Sequence, residues 1–360
     1  MDWSLCIATL NRRDALLRTL RHAVAQTVPP REVVVIDVSD DWEETARLAH
    51  AEIFDARPEI TLIYRTSPVR SSATQRNLGL GLCSSEIVFM IDDDSFLFPD
   101  CAEQILQIYK ADTAGEVACV AISLVSEIPP LPGTQDKAAR SIAQKESGNR
   151  QIARLQQAVL KSGFGRWINR KVLLQSMDEL FIKYEGPRDT PVPASVAGLD
   201  VTRITFMQGC AMTVRREVAL AEPFDPALRF YAAFEDLDAT YRYGRHGVAL
   251  RSARARLHHF EAAGGRIKRK KVIVFQLLNM ALFIRRNTPD PEQWKGVYQR
   301  LLWRRLIGEF LKDGLSRRFD FPQVKGVLAV MGCWKELWKR SPAELDDWYP
   351  QFQKQIIDSL

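Results

Sequence analysis

The stretch Ile87-Val88-Phe89-Met90-Ile91, followed at once by Asp92-Asp93-Asp94, constrains this chain more than any other. Its β-branched and aromatic residues suit a strand buried on both faces of a parallel sheet. Such a strand ends at the carboxyl edge, where open α/β sheets bind ligands. Three adjacent carboxylates repel one another unless a cation sits among them. Because side chains alternate on an extended chain, Asp92 and Asp94 point one way and Asp93 the other. Hard oxygen ligands so arranged suit Mg²⁺ or Mn²⁺, which often hold a phosphate as well. The competing reading is a solvated acidic turn that caps the helix after Pro99, and the stretch alone leaves both open.

The rest of the chain bears on that choice. Trp3 to Thr9 and Glu32 to Asp37 read as buried strands, as do Ile60 to Tyr64 and Val117 to Ser123. Amphipathic helices are expected between them, over Ala15 to Gln26 (capped by Asn11 or Asp14), Asp40 to Leu48, Ser71 to Cys83 and Pro99 to Lys110. Alternation of this kind builds βαβ units around a parallel sheet. It brings Thr9, Asp37 and Asp92 to one carboxyl edge, which weakens the plain-turn reading. A polar helix is expected over 135–160, and regularity returns at Ile204 to Met207 before helices near Arg215 and Ala233. Val248 to Leu250 and Ala255 to His258 read as two short strands.

From Arg266 the sequence is helical, basic and rich in tryptophan, and the boundary falls near Gly264-Gly265. The run Gly264 to Lys271 is a flexible basic segment that would close over a diphosphate, touch anionic lipid, or simply start a solvated helix. The six cysteines are scattered without a CxxC pair, which argues against a disulfide framework or a zinc site and for a reducing compartment. The amino terminus has no signal-peptide pattern, and Val272 to Ile284 is too short to span a bilayer. A cytoplasmic protein is expected. The formal charge of +6 suits phosphate-bearing ligands or an anionic membrane face. No nucleic-acid motif accompanies that charge, and Gly163-x-Gly165 is too short for a dinucleotide fingerprint.

Taken together, Ser4 to Arg12, Val34 to Asp40, Gln75-Arg76-Asn77-Leu78-Gly79-Leu80, Met90 to Asp94, Gly209 to Arg216, Phe234 to Asp238 and His258-His259 resemble, in order and spacing, the family 2 glycosyltransferases. The resemblance covers roughly residues 3 to 260. It implies a GT-A fold, a Rossmann-like mixed sheet that binds a nucleotide-diphosphate sugar, over 1–264. Residues 1–124 would be the nucleotide half, 125–264 the acceptor half, and 265–360 a helical basic extension. It also implies inverting transfer of the sugar to an acceptor hydroxyl with Mn²⁺ or Mg²⁺, as in the synthesis of bacterial surface polysaccharide or another glycoconjugate.

Carried over residue by residue, the resemblance gives each acid a part. Thr9, Asn11 and Arg12 would meet the nucleotide base, and Asp37 the base or ribose. The usual acidic pair is Asp37-Val38-Ser39-Asp40 here, with its second acid missing or shifted to Asp40. Arg76 and Asn77 would contact the nucleotide side, against a reading of Arg76 as a surface helix charge. Asp94, with Asp92, would bind the metal, while Asp93 would contact the ribose or stay structural. Asp236 would be the general base and Glu235 its alternate or support, where plain helix capping is the competing reading. His258, with His259 close behind, would complete the metal site.

The extension would build the acceptor side, rest on the inner membrane face, pack as a subdomain or make an oligomer contact. The acceptor would be a glycan or a lipid-linked molecule. A sugar nucleotidyltransferase would need a glycine-rich loop where Thr9-Leu10-Asn11-Arg12 stands. A catalytically silent nucleotide-binding scaffold would have no use for both D-x-D acids and Asp236.

Overall fold

The computed structural model describes residues 1–131, 162–167, 171, 190–230, 233–260 and 268–360. By its internal contacts the chain divides into two compact units, Met1–Gln135 with Pro187–Gly265, and Asp136–Gly186 with Arg266–Leu360.

The first unit is built on a mixed sheet of nine strands. Strands β1 (Trp3–Thr9), β2 (Glu32–Asp37), β3 (Thr61–Arg65) and β4 (Ile87–Asp92) follow the expected segments to within a residue or two. They lie parallel in the order β3-β2-β1-β4. Beyond β4 the sheet runs through β8 (Met212–Arg215), β6 (Val117–Leu124), β9 (Val248–His259) and β5 (Ser95–Leu97), with β7 (Val201–Arg203) paired to β9. β8 is antiparallel to both neighbours, and so the sheet is mixed. Every residue of β2, and every residue of β4 before Asp92, is buried. Strands covered on both faces must read as continuous apolar runs, and these do.

Helices α1 (Arg13–Val24), α2 (Trp42–Ala49), α3 (Ser72–Leu82) and α4 (Cys101–Ala111) cross between the strands. Neither Asn11 nor Asp14 caps α1, whose first turn carries no side-chain cap bond. Ser71 does cap α3 by accepting from the Thr74 amide. That helix is seated tightly. A Cβ on Gly79 would come within 2.5 Å of Cys6 Sγ, and the Gln75 amide donates to the Thr9 and Ile36 carbonyls at 3.0 and 2.8 Å. Gln75 thus ties α3 to the ends of two strands and fixes its neighbour Arg76.

Two expectations change. Where regularity was read at Ile204 to Met207, the strand of this region is instead Met212–Arg215, preceded by a 3₁₀ turn at Gly209–Ala211. The two short strands before the histidines are one continuous strand, because β9 pairs with β6 early and with β5 late. β5 itself, three residues directly after the acidic turn, was too short for any periodicity to show. Short helices α5 (Arg216–Ala221) and α6 (Glu235–Tyr243) complete this unit. The helix expected over 135–160 lies outside the described residues.

The second unit contributes α7 (Arg269–Asn287), α8 (Pro291–Leu315), α9 (Pro322–Cys333) and α10 (Leu345–Asp358). Its centre includes a polar knot in which Tyr349 and Gln353 donate to Asn279 Oδ1 at 2.5 and 2.8 Å. Buried polar groups persist when paired in this way. Among the described residues no helix is long and apolar enough to cross a membrane.

Candidate active site

The sheet register sets the site. Ala8 pairs with Asp92 and Thr9 with Asp37, so β1, β2 and β4 all end at one edge. β4 stops at Asp92 because three successive carboxylates cannot all enter a buried sheet. The chain turns there and restarts as β5 at Ser95.

The three acids separate as alternation requires. Asp93 is buried and turns toward α1, where Thr9 Oγ1 donates to it at 2.6 Å and Arg12 at 3.1 Å. Burial outweighs both partners and holds its carboxyl up at about 6. Asp92 and Asp94 both face His259, whose Nε2 lies 3.8 Å from Asp92 and 3.1 Å from Asp94 Oδ1. Arg12 also reaches Asp94 Oδ2, at 3.2 Å. Asp92 is the exposed member, with a side chain 36% accessible against 1% for Asp94.

His259 is therefore the histidine at the acids. His258, favoured from the sequence, directs Nδ1 to the Val125 carbonyl at 3.2 Å and stacks on Phe96. Neighbours on a strand point to opposite faces, and the register Ser95↔His259 sends the second of the pair inward. Hydrogen bonds to Asp94 and Cys210 push the His259 imidazole up to about 11.

Arg76 joins this cluster to a second one. Nη2 donates to Asp92 at 2.7 Å and to the Gly209 carbonyl at 3.1 Å, and Nη1 donates to Glu235 Oε1 at 2.6 Å. It is 4% exposed. The surface-charge reading of Arg76 fails, and its position is between acids rather than open to a ligand. Glu235 also accepts from Ser72, at 2.8 Å. Burial raises its carboxyl to about 7 against the pull of Arg76. Asp236 is held differently, by the Gly209 amide at 2.9 Å and the Leu237 amide at 2.8 Å. Its pKa is also raised by burial. Phe234, in the left-handed region at φ 70°, turns the chain sharply into α6 and places both acids in its first turn.

Other expected residues lie elsewhere. Asp37 ends β2 as expected but is 1% exposed. Its oxygens accept from the Ser39 amide at 2.7 Å and the Tyr64 hydroxyl at 2.6 Å. Asn77 exchanges two bonds with the backbone of Phe224, at 2.8 and 2.9 Å, and so clamps α3 to the loop before α6. Asn11 adopts a left-handed φ of 54° and donates its amide to Ser39 Oγ at 2.6 Å. With Arg12, Arg18, Phe96 and Phe260 it lines a cleft of about 840 Å³ beside the acids.

Sequence reasoning missed Cys210. One ligand atom each from Asp92, Cys210 and His259 lie within 4.8 Å of one another. The only available signal was its place in the Gly209-to-Arg216 motif, where it reads as a small buried residue.

Residues 4–175 match the family described as Glycosyl transferase family 2. That segment is just under half of the chain. Asp92, Asp93, Asp94 and Arg76 fall inside the matched segment, whereas Cys210, Glu235, Asp236 and His259 fall beyond it. The mixed sheet with its helical extension is the GT-A arrangement. No curated protein matches the chain. Among solved structures it is similar to S. aureus TarS 1-349 in complex with UDP-GlcNAc, at 14% identity and a TM-score of 0.49, covering 99% of this chain and 89% of that one. It is similar also to the mannosyltransferase PcManGT from Pyrobaculum calidifontis in complex with GDP-Man and Mn²⁺, at 14% identity, TM-score 0.47, and coverage of 99% and 84%. Against the longer S. aureus TarS structure the TM-score is 0.43 at 14% identity, with 84% of this chain covered and 42% of that chain's length spanned.

Proposed function

We propose that this family 2 glycosyl transferase moves a sugar, with inversion, from a nucleoside-diphosphate sugar to an acceptor hydroxyl, using a divalent cation. One observation carries the reading: Arg76 bonds both Asp92 and Glu235, so the acids ending β4 and those opening α6 form one continuous site. An inverting displacement needs a carboxylate on one side of the sugar and charge neutralisation on the other.

Asp236 fits the base. Two backbone amides orient its carboxylate, and burial raises its pKa against the pull of those amides and of Arg76. It would take the acceptor proton at a carboxylate oxygen. Glu235, committed to Arg76 and Ser72, supports it by fixing the arginine.

Asp92 and Asp94 each lie beside the His259 imidazole, and carboxylates with an imidazole are donors that fit a divalent cation. Bound there, the cation would neutralise charge on the leaving diphosphate. Arg12 and the cleft beside it, with its arginines and aromatic rings, suit the anionic nucleotide.

A thermal-shift screen of UDP-, GDP-, dTDP- and CMP-linked sugars, with and without Mn²⁺, tests the donor reading. Ligand binding to the folded state must raise its apparent stability. A metal-dependent rise with one nucleotide class is expected, and no shift with any of them would sink the proposal.

The acceptor is read as a glycan or lipid-linked molecule, and the extension, residues 265–360, as a peripheral contact with an anionic lipid surface. Residues 268–360 carry eighteen Lys and Arg against ten Asp and Glu, so the remainder of the chain is slightly acidic. On α8 the exposed Trp303, Ile307, Phe310, Leu311 and Leu315 recur at helical spacing along one face. Arg300 and Arg304 are exposed on the same helix. Tryptophan, aliphatics and arginine on one face match the chemistry of a lipid interface, with roughly 1 kcal/mol for each basic side chain near an anionic surface. Co-sedimentation with phosphatidylglycerol vesicles, absent with phosphatidylcholine and lost in Trp303→Glu/Phe310→Glu, is expected. Equal sedimentation of wild type and variant would refute the contact.

A further inference from the structure

The proposed chemistry uses oxygen and nitrogen ligands and leaves one nucleophile beside them unused. Cys210 sits on the 3₁₀ turn Gly209–Ala211, with its sulfur within 4.8 Å of ligand atoms of Asp92 and His259. The turn is anchored on several sides. Ser95 Oγ donates to the Cys210 carbonyl at 3.1 Å, Arg76 donates to the Gly209 carbonyl at 3.1 Å, and the Gly209 amide donates to Asp236 at 2.9 Å. The sulfur is therefore held next to the acids by the site's own bonding.

Four of the other cysteines behave differently. Cys6, Cys83, Cys101 and Cys119 are buried within the sheet and its covering helices, as small apolar residues are. None of them belongs to a group of metal-ligating side chains among the described residues.

Asp92, His259 and Cys210 offer a carboxylate, an imidazole and a thiol within 4.8 Å of one another, three protein donors with a fourth position left for water or ligand. Hard Mg²⁺ and Mn²⁺ gain little from sulfur, whereas Zn²⁺ and Co²⁺ take thiolate readily and accept four ligands. Zinc–ligand bonds of about 2.0–2.3 Å place tetrahedral donors roughly 3.3–3.8 Å apart. The 3.8 Å separation of His259 and Asp92, and the 4.8 Å limit on the group with Cys210, are within a side-chain adjustment of that figure.

We propose that Cys210 is a metal ligand of this site, joining Asp92 and His259 to bind a thiophilic divalent cation, Zn²⁺ foremost, before any nucleotide arrives. The thiol proton and the extra proton of the His259 imidazolium both leave to solvent as the sulfur–metal and nitrogen–metal bonds form. The inference rests on the cation reading given above, and its test separates the two.

The full chain, stripped with chelator and free of nucleotide, is titrated with Co²⁺ and followed by absorbance, then competed with Zn²⁺ and with Mn²⁺. The expected result is a thiolate-to-cobalt charge-transfer band together with the visible bands of a four-coordinate ion. Both would be displaced by Zn²⁺ at far lower concentration than by Mn²⁺. In Cys210→Ser the charge-transfer band disappears and zinc affinity falls by roughly tenfold or more, while Mn²⁺ affinity changes little. Cys333→Ser keeps the band. Co²⁺ binding without the band in wild type overturns the sulfur ligand and leaves the cation reading standing. Failure of Co²⁺, Zn²⁺ and Mn²⁺ alike to bind, with or without nucleotide, overturns both. Should Cys210→Ser not fold, Cys210→Ala takes its place, and the wild-type spectrum decides by itself.

Discussion

Two groups of carboxylates face each other across Arg76, and the chain treats them differently. The triplet at the end of β4 is held by side chains: Thr9 and Arg12 on Asp93, Arg12 and His259 on Asp94, Arg76 on Asp92. In the pair that opens α6, Glu235 is held by side chains and Asp236 by backbone amides. Cationic and amide donors alike favour the ionised carboxylate, and burial is what raises Asp93, Glu235 and Asp236 against them. The groups differ in what holds the oxygens: arginine and histidine side chains share those of the triplet, whereas the backbone orients those of Asp236. Under the proposed function, charge neutralisation would fall to the triplet and proton transfer to Asp236.

The largest expected effect breaks the pair apart. Asp236→Asn keeps the amide acceptor geometry at one oxygen and removes the base, so turnover falls by roughly 10²–10⁴-fold while donor binding holds. Glu235→Gln keeps a carbonyl oxygen for Arg76 and Ser72 and loses far less. Steady-state rates for both, with donor affinity measured beside them, decide the matter. Equal losses would mean that the two acids share the role and that the contrast between them is wrong.

Arg76 tests whether the two groups are one site. Removing it leaves Asp92 and a buried Glu235 without their shared cation, and breaking such a buried pair costs about 3–5 kcal/mol. Arg76→Met should lower the unfolding midpoint in denaturant and abolish turnover. Arg76→Lys should recover part of the stability, because an ammonium cannot serve three acceptors in the planar fork that guanidinium presents. A stable, active Arg76→Met enzyme would separate the clusters.

Much of this was legible beforehand, for identifiable reasons. Buried strands such as β2 and β4 announce themselves because they need apolar side chains on both faces, and their ends follow from the carboxylates. The same pattern placed Asp92 and Asp94 on one side and Asp93 on the other. What the pattern could not convey was partnership. Asp37 has the right position, but Tyr64 and Ser39 occupy its oxygens. Asn77 follows Arg76 directly and faces Phe224 instead of the site. The choice between His258 and His259 turned on a one-residue register with β5, a strand too short to be seen in advance. Cys210 looked like any other small buried residue until the fold brought His259 to it.

The smallest expected effect is also the most discriminating, because each group contains one acid held above its ordinary range by burial. Asp93 stands at about 6 against an ordinary 3.8, and Glu235 at about 7 against 4.5. Within each window the folded chain keeps a proton that the unfolded chain has released, so stability falls as pH rises through it. Asp93→Asn and Glu235→Gln no longer titrate. Each variant should therefore improve relative to wild type with rising pH, by a few kcal/mol across the window at most. For Asp93→Asn the change should be complete soon above pH 6, and for Glu235→Gln it should continue past pH 7. Denaturant midpoints measured from pH 4 to pH 8 provide the comparison. If the two curves rise together, the carboxylates titrate as one network through Arg76 and Asp92, and the division between triplet and pair belongs to their partners and not to their protons.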